Sequence, residues 1–420
     1  MNIKSEIIDK NLCVSCGLCA FNNLATMKMK KGIYIPIFQN RLTNEDDELL
    51  TSICPGKGYN IVDIGRSLYG QSPDSKYDYR IGYYKNIGVA RSFDDDFLQK
   101  SSSGAMMPAL ALFLLEEKIV DGIITVKFDY TANGPVPKSF IAKSKEDLIE
   151  AQGSKYMPIP LWENINDILN FPGKLAVIGT PCQIAGLRLL QSKNENLKNK
   201  LKFTMANFCG GFRDYRETER IFQIFNVKKE NITYFSYRGN GQPGTMTIQQ
   251  KNHKSLHIKY PEYAQLTGFI KYYRCRFCVD ATGELADISF GDAWLPRFLN
   301  TGKKWSLFVC RSNEIFLLLQ QMMGKGLVEL NTLALDELVT AQKGNLTTKK
   351  ERQKARYALY RIINKPVPYF DGSYNPVTSN LKLELKVAIS HTLMYFLEKI
   401  GLYLPIAKII KRVTKENYEI

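Results

Sequence analysis

The spacing of its cysteines constrains this chain more than any other feature of the sequence. Cys13, Cys16 and Cys19 follow one another at intervals of three in the segment CVSCGLC. Neighbouring sulfurs at this spacing can converge on one iron–sulfur cluster without strain. The position where a bacterial-type run carries its fourth cysteine holds Asn23, so a remote thiolate has to complete the site. The pattern therefore predicts a ferredoxin-like cluster with three local ligands and one distant ligand.

Cys54 is the candidate for the distant ligand. It is followed by Pro55, and a proline commonly follows the last cysteine of such a run. The intervening KMKKGIYIPIFQNRL is typical of a turn, a strand and a second turn, which would return Cys54 to the site. The alternative is a surface thiol in a Pro–Gly turn, with a three-iron cluster on the other three cysteines. Both interpretations are open from the sequence.

The other five cysteines suggest a second site. Cys275 and Cys278 form a further C-x2-C pair, while Cys182 and Cys209 each follow an apolar run that is typical of a strand. Ligands gather at the carboxyl ends of strands in α/β sheets. The alternative for these cysteines is a buried structural thiol, and this is the interpretation that we prefer for Cys310.

The compartment decides whether nine cysteines in 420 residues form disulfides or bind metal. The opening MNIKSEIIDK lacks the apolar segment of a secretory signal, and no run of about 18 apolar residues follows. We therefore expect a cytoplasmic protein with reduced thiols, for which metal or redox use of cysteine is favoured. The length predicts two or three domains, and the composition, 45% hydrophobic and 23% charged, is that of a globular chain.

Two segments have the form of anion-binding helix starts. SSSG precedes a long apolar helix expected at 105–119, and GTPCQ joins the end of a strand to a helix that begins near Cys182. Free N–H groups and the positive end of the helix dipole suit a phosphate there, although plain helix capping is the alternative. The candidate cofactor-binding residues in these segments are Ser102, Ser103, Gly104, Gly179 and Thr180.

Two further motifs contribute candidates for cofactor binding. GSKYMP offers Ser154, Lys155 and Tyr156, and the lysine could stabilise a reduced anionic flavin ring. ADISFGDAW offers Asp287 and Asp292, which could fix a ribose or orient a flavin edge. The alternatives are an ordinary surface loop for the first motif and turn capping for the second.

The motifs in chain order resemble the coenzyme F-420 hydrogenase/dehydrogenase beta-subunit family over roughly residues 5–310. They read CVSCGLC, CPG, SSSGAMMPALALFLLEEKIVDGII, GSKYMP, GTPCQIAGLRLL, NFCGGF, YRCRFCVD and ADISFGDAW. The resemblance implies an iron–sulfur flavoprotein oxidoreductase that passes electrons between a deazaflavin or similar hydride carrier and a partner. It implies FAD or FMN and two [4Fe-4S] clusters, the second held by Cys182, Cys209, Cys275 and Cys278. It also implies a place in bacteria beside cell-surface polysaccharide enzymes.

The motif set departs from the family pattern at two positions and offers little acid–base chemistry. Ala105 stands where a second glycine is common, so the approach of the backbone to a cofactor is expected to differ. Gly210 replaces a frequent histidine, which removes a polar group near the second cysteine set. The three histidines, His253, His257 and His391, lie outside the motifs. We assign no catalytic residue.

These features predict an α/β (α+β) chain in three parts. They are a 4Fe-4S ferredoxin-type domain at 1–65, a larger α/β flavin and iron–sulfur domain at 80–335, and a basic helical tail at 340–420. The strands expected in the larger domain are 121–128, 174–179, 202–208 and 285–290.

The tail is the most basic part of the chain. From residue 341 onward, fifteen Lys or Arg stand against six Asp or Glu, in a chain of net charge +16. A basic amphipathic segment is typical of contact with an anionic membrane surface or an acidic partner, and packing on the core with solvated lysines is the alternative. Nucleic-acid binding is disfavoured, because no known binding module is present.

The expected partners are therefore a hydride-carrying small molecule, a redox protein and, through the tail, the inner face of a membrane. The alternative function is a non-catalytic iron–sulfur interaction protein, bound to a membrane surface or to nucleic acid through the same tail.

Overall fold

A large mixed sheet organises the centre of the chain in the computed structural model, which describes residues 2–259, 262, 271–299, 301–378, 380–402 and 405–406. Within these residues, and numbered in chain order, its strands lie in the sequence β16 (Val328–Thr332), β6 (Asn86–Ser92), β15 (Ser306–Cys310), β14 (Ile288–Asp292), β10 (Leu201–Asn207), β9 (Leu175–Gly179), β7 (Gly122–Thr131) and β8 (Gly134–Ala142). The four strands β14, β10, β9 and β7 are mutually parallel, and the outer pairings are antiparallel. These four correspond to the predicted strands, the last beginning three residues later than expected.

Smaller sheets surround the large one. They are the hairpin of β1 (Ala25–Lys30) and β2 (Ile33–Phe38), the pair of β4 (Lys76–Asp78) and β5 (Gly82–Tyr84), and the antiparallel sheet of β11 (Ile232–Ser236), β12 (Thr245–Gln250) and β13 (Ser255–Lys259). In addition, β3 (Gly58–Tyr59) pairs in parallel with β17 (Tyr369–Phe370). This last pairing joins the segment after Cys54 to the C-terminal part of the chain.

The helices cover the sheet and connect its strands. In chain order they are α1 (Asn44–Ile53), α2 (Ile61–Tyr69), α3 (Asp95–Lys100), α4 (Met106–Glu116), α5 (Lys145–Ala151), α6 (Ile165–Asn170), α7 (Pro181–Gln191), α8 (Glu195–Lys200), α9 (Tyr215–Ile224), α10 (Tyr273–Arg276), α11 (Pro296–Leu299), α12 (Asn313–Gly324), α13 (Leu335–Ala341), α14 (Lys343–Leu346), α15 (Gln353–Ile362) and α16 (Leu381–Lys399). The helix predicted at 105–119 is α4. It ends at Glu116 because the chain turns there and Lys118 adopts a left-handed φ of 53°.

One hydrophobic core joins the three parts of the chain. Leu12 and Phe21 from the N-terminal segment pack in the same cluster as Val177 of β9, Leu187 of α7 and Tyr357 of α15. A second cluster fills the space between the large sheet and helices α4 and α12. The division into 1–65, 80–335 and 340–420 stays a prediction.

The beginning of the predicted tail packs on this core. Lys349 and Lys350 are fully buried, as are Tyr357 and Tyr360 of α15. The packing alternative therefore describes this segment, although these two lysines are enclosed rather than solvated. Helix α16 follows with much of its apolar surface exposed, and the tail beyond 402, apart from 405–406, lies outside the described residues. None of the helices in the described ranges is long and apolar enough to span a bilayer.

Candidate functional site

Four cysteines from three separate segments line one cavity of about 160 Å³. We call them the second cysteine group, and they are Cys182, Cys209, Cys275 and Cys278. Cys182 lies in the first turn of α7 after β9, and Cys209 lies just after β10. Because β9 and β10 are parallel neighbours, their carboxyl ends meet at one edge of the sheet. The fold thus brings together the cysteines that the sequence leaves far apart.

The buried thiols of the second cysteine group require a cationic ligand in order to ionise. The Gly211 N–H donates to the Cys209 sulfur at 3.3 Å, and the Thr180 hydroxyl lies 3.4 Å from the Cys182 sulfur. Burial, and then the nearby Cys209, raises the pKa of Cys275 to about 11 and also raises the pKa of Cys182. Buried thiols at these positions keep their protons unless a cation compensates the thiolate charge. An iron–sulfur cluster supplies that compensation.

The first cysteine group consists of Cys13, Cys16, Cys19 and Cys54. Burial, and then the proximity of Cys54, raises the pKa of Cys13 to about 12 and raises those of Cys16 and Cys19 well above the ordinary value. Cys54 is itself buried, so the description as a surface thiol does not apply to it. The structure thus places Cys54 beside the three local cysteines, where a fourth ligand is needed.

Backbone amides point at the sulfurs of the first cysteine group. The chain turns sharply through Ser15, with φ of 57°, and Gly17, with φ of 93°. The N–H groups of Ser15 and Gly56 lie 3.4 Å from the sulfurs of Cys13 and Cys54, respectively. Hydrogen bonds to sulfur are one of the means by which a protein holds and tunes an iron–sulfur cluster.

The two groups differ from a single-ion site. In the ranges that the structure covers, no three His, Cys, Asp or Glu side chains are arranged to hold one metal ion. Around a single zinc ion, all thiolates lie about 2.3 Å from the same centre, whereas a cubane binds each thiolate to a different iron and spreads the sulfurs apart. A cubane is the ligand chemistry against which four separate thiolates have to be tested.

A larger cavity of about 560 Å³ adjoins the second cysteine group. This volume lies in the range of small-molecule and cofactor sites. The predicted residues that line it are Ser102, Ser103, Ser154, Tyr156 and Asp292. Ser154, Tyr156, Asn207 and Gly210 line both cavities. A group bound in the larger cavity would therefore lie next to the cysteines.

The residues of the two predicted helix starts have different roles in the structure. Gly179 and Thr180 line the smaller cavity, but Oε1 of Gln183 accepts from the Thr180 N–H at 2.8 Å and from its hydroxyl at 2.9 Å, so the start of α7 is capped by its own residues. Gly104 lies behind the larger cavity, where an added Cβ would come within 2.7 Å of the Ser306 nitrogen. Ala105 has a φ of 56°, the left-handed conformation that favours the glycine common in the family.

Lys155 lines the smaller cavity and not the larger one. Its Nζ donates to the carbonyl oxygens of Ala151 at 2.8 Å and Gly153 at 3.1 Å, at the end of α5. Burial lowers the pKa of Lys155 to about 7. The side chain thus caps a helix, and its placement differs from that predicted for a cation beside a flavin ring.

Asp287 lies away from both cavities, in contrast to Asp292. Its carboxylate accepts hydrogen bonds from the Thr204 N–H and hydroxyl, each at 2.8 Å, and pairs with Arg188 at 3.2 Å. The two aspartates stand at opposite ends of β14, so they reach opposite edges of the sheet. The predicted role of Asp287 in cofactor binding is therefore corrected to a structural one.

Two arginines of the larger cavity were not identified from the sequence. Arg238 is buried and pairs through Nη1 with Asp292 at 2.8 Å. Arg213 also lines the cavity, and its buried Nε has no hydrogen-bond partner among the described residues. Such a donor suits an anionic ligand. The position of Arg213 four residues after Cys209 is the signal that could have revealed it.

The segment after residue 335 also contributes to both cavities. Gln342, Asn345 and Thr348 line the larger cavity, and Lys349 lines the smaller one. All four lie in the segment 340–420 that the sequence predicts as a tail. Their position follows from packing alone, and no motif indicates it.

Comparisons with known proteins identify the family models and relatives that the chain matches. The chain matches the family model for the coenzyme F420 hydrogenase/dehydrogenase beta subunit N-terminus over residues 87–166 and that for its C terminus over 173–335. It is 27% identical to the coenzyme F420 hydrogenase subunit beta of Methanococcus voltae, over 69% of this chain and 99% of that protein. It is 24% identical to the coenzyme F420-dependent sulfite reductase of Methanocaldococcus jannaschii, over 70% of this chain and 44% of that protein.

A solved structure shares the fold. A chain from the F420-reducing [NiFe] hydrogenase complex of Methanosarcina barkeri superposes with a TM-score of 0.55 at 23% identity, covering 70% of this chain and 98% of that chain.

Proposed function

Because the chain belongs to the coenzyme F420 hydrogenase/dehydrogenase beta-subunit family and is an oxidoreductase, we propose that it passes electrons between a hydride carrier and a partner protein through a flavin and two [4Fe-4S] clusters. The observation that carries the proposal is the shared wall between the larger cavity and the second cysteine group. A deazaflavin is the first carrier to test, because the relatives are named for coenzyme F420.

The chemistry requires both kinds of group. When bound, a flavin would accept a hydride and the clusters would carry its two electrons singly to the partner, so that each hydride transferred would yield two electrons and one proton. The chain contributes binding and orientation. The hydroxyls of Ser102 and Ser103 and the guanidinium of Arg213 would hold the phosphate of the flavin, while Arg238 orients Asp292 at the cavity wall.

Contacts between the two cysteine groups support an electron path. Val14 of the first loop lines the cavity of the second cysteine group. Arg274 is buried and donates from Nε to the Gly56 carbonyl at 2.6 Å and from Nη2 to the Pro55 carbonyl at 2.8 Å. Because Arg274 directly precedes Cys275, it ties the two ligand loops together.

The first experiment measures iron, acid-labile sulfide and flavin per chain after purification without oxygen. We expect about eight irons and about one flavin. Reduced F420 and NADH are then compared as donors by following the bleaching of the flavin absorbance. The variant Cys310→Ser is the matched control, because Cys310 is buried in β15 outside both groups. About four irons without flavin would contradict the proposal.

We also propose that α16 makes the peripheral membrane contact. Its two acidic residues face inward, where Glu384 pairs with Arg356 at 2.8 Å and Glu398 pairs with Arg216 at 3.0 Å. Exposed apolar residues recur at helical spacing at Leu381, Leu385, Ile389, Leu393, Phe396 and Ile400, and Leu383 and Tyr395 are exposed as well. Exposed lysines flank them. An apolar face bordered by cations suits an anionic bilayer surface.

Sedimentation with lipid vesicles tests this contact. We expect binding to vesicles that contain phosphatidylserine and weak binding to pure phosphatidylcholine. The double variant Ile389→Asp with Leu393→Asp should lose binding, whereas Leu68→Asp, at an exposed site on α2, should retain it. Equal sedimentation of the wild type and the double variant would overturn the contact. A dimer that the double variant abolishes would assign the face to a second copy of the chain.

A further inference from the structure

A segment outside the family match contributes to the second cysteine group. The family models end at residue 335. Beyond that point, Gln342 Nε2 donates to the Asp292 carbonyl at 2.8 Å, and Asn345 Nδ2 lies 3.4 Å from the Cys209 carbonyl. Lys349 lines the same cavity as the four cysteines. The segment 342–350, which lies outside the residues matched by the family models, thus forms one wall of the site.

Lys349 and Lys350 are adjacent and equally buried, but their surroundings differ. Both side chains are at most 1% exposed. The ammonium of Lys350 forms an ion pair with Glu284 and donates to the Ser373 carbonyl at 2.8 Å. The ammonium of Lys349 donates to the Asp280 carbonyl at 2.6 Å, and no carboxylate in the described part of the chain forms an ion pair with it.

A buried ammonium without an anionic partner is costly. Lys349 lines the cavity of the second cysteine group, and the fully buried Asp280 carboxylate also lies near its ammonium. A cluster on these cysteines would place further negative charge beside the ammonium. The cysteine group therefore occupies the place that Glu284 has beside Lys350.

We propose that the ammonium of Lys349 is a fixed positive charge beside the second cluster and that it raises the reduction potential of that cluster. This inference rests on the proposed function, since it requires a cluster on the second cysteine group. Reduction adds one electron to the cluster and makes it more negative. A fixed positive charge in a buried cavity favours that state, and net charge is one of the terms that set cluster potentials.

Three substitutions separate the charge of Lys349 from its hydrogen bond. Lys349→Gln keeps a donor for the Asp280 carbonyl but removes the charge, Lys349→Met removes both, and Lys349→Arg keeps the charge. Lys343→Gln is the matched control, because Lys343 is exposed on α14 in the same segment. The measurement is the midpoint potential of each cluster, from electron paramagnetic resonance during a redox titration of the anaerobic holoprotein.

We expect the Gln and Met variants to show about a tenfold lower ratio of reduced to oxidised second cluster at a fixed potential, which corresponds to about 59 mV for one electron. The Arg and Lys343 variants should match the wild type, and the first cluster should be unchanged in all of them. Full iron content with an unchanged second midpoint in the Gln variant would overturn this inference alone. Absence of a second cluster in the wild type would instead overturn the proposed function.

Thermal stability provides a second readout if the neutral variants accumulate poorly. The ammonium is offset by the cluster in this proposal, so loss of the charge should lower the Tm of the cluster-loaded protein more than that of the protein stripped of iron. An equal loss of Tm in both forms would show that Lys349 is only an anchor for the C-terminal segment, and would contradict the proposal.

Discussion

The two cysteine groups of this protein are built in opposite ways. The first group takes three of its four cysteines from a single loop of seven residues, and backbone amides in the same loops approach the sulfurs. The second group takes its cysteines from the ends of β9 and β10 and from the segment around α10. It opens onto a cavity of about 560 Å³, and buried cations lie beside it.

This difference indicates a division of labour. The first group is shaped mainly by local backbone geometry, which suits a relay for single electrons. The second group is held by the large sheet, and the same strand ends also form the wall of the larger cavity. A site that exchanges electrons with a bound cofactor has to lie next to it. Of the two groups, the second adjoins the larger cavity and the first does not.

The largest expected effect comes from removing one ligand of each group. Cys16→Ser should lower the iron content from about eight to about four per chain and leave the flavin bound, because it affects only the first cluster. Cys278→Ser should remove a similar amount of iron and also block electron transfer from the reduced flavin to the first cluster. Iron analysis and stopped-flow absorbance check both outcomes. If either variant keeps all its iron, the division into two groups is wrong.

A glycine beside the second group gives the next largest effect. Gly211 has a φ of 109°, and an added Cβ would collide with the Lys271 side chain and lie 3.0 Å from the Cys275 Cβ. Gly211→Ala should therefore reduce iron at the second group while the first cluster keeps its spectrum. Gly344→Ala is the control, because no atom lies within 4 Å of an added Cβ there. Equal iron in the two variants would show that the second group tolerates displacement.

The two aspartates of β14 distinguish stability from cofactor binding. Asp287→Asn breaks a mostly buried ion pair with Arg188 and should lower the free energy of unfolding by about 3 kcal/mol, with flavin affinity unchanged. Asp292→Asn removes the ion pair with Arg238 at the cavity wall and should weaken flavin binding about tenfold, or about 1.4 kcal/mol. Denaturation and flavin titration measure the two effects. A loss of affinity in Asp287→Asn alone would reverse the assignment.

The most gradual effect concerns Lys155, whose pKa burial lowers to about 7 from an ordinary 10.5. Between these values the unfolded chain binds a proton that the folded chain has released, so stability rises with pH. The free energy of unfolding of the wild type relative to Lys155→Gln should increase by at most about 1 kcal/mol per pH unit over this window. A flat difference from pH 7 to pH 10 would show that Lys155 stays charged beside the second group.

Much of the fold could be predicted from the sequence. The four central strands are apolar runs of a length typical of buried parallel strands, and the structure contains all four. Most of the cavity residues predicted from SSSG, GSKYMP and GDAW also line a cavity, in segments that precede α4, follow α5 and end β14. Asp287 shows where such reasoning fails, since one motif spans a whole strand and its two ends reach different edges of the sheet.

The sequence by itself determined which cysteines stand close enough to be predicted as local ligands, because C-x2-C spacing acts over a few residues and does not depend on distant packing. Only the tertiary structure decided that Cys54 joins the first group and that Lys349 closes the second. It also decided that Arg213 lines the larger cavity. These contacts join residues far apart in the chain. Their formation depends on how the sheet and core bury each segment, and no short pattern encodes that burial.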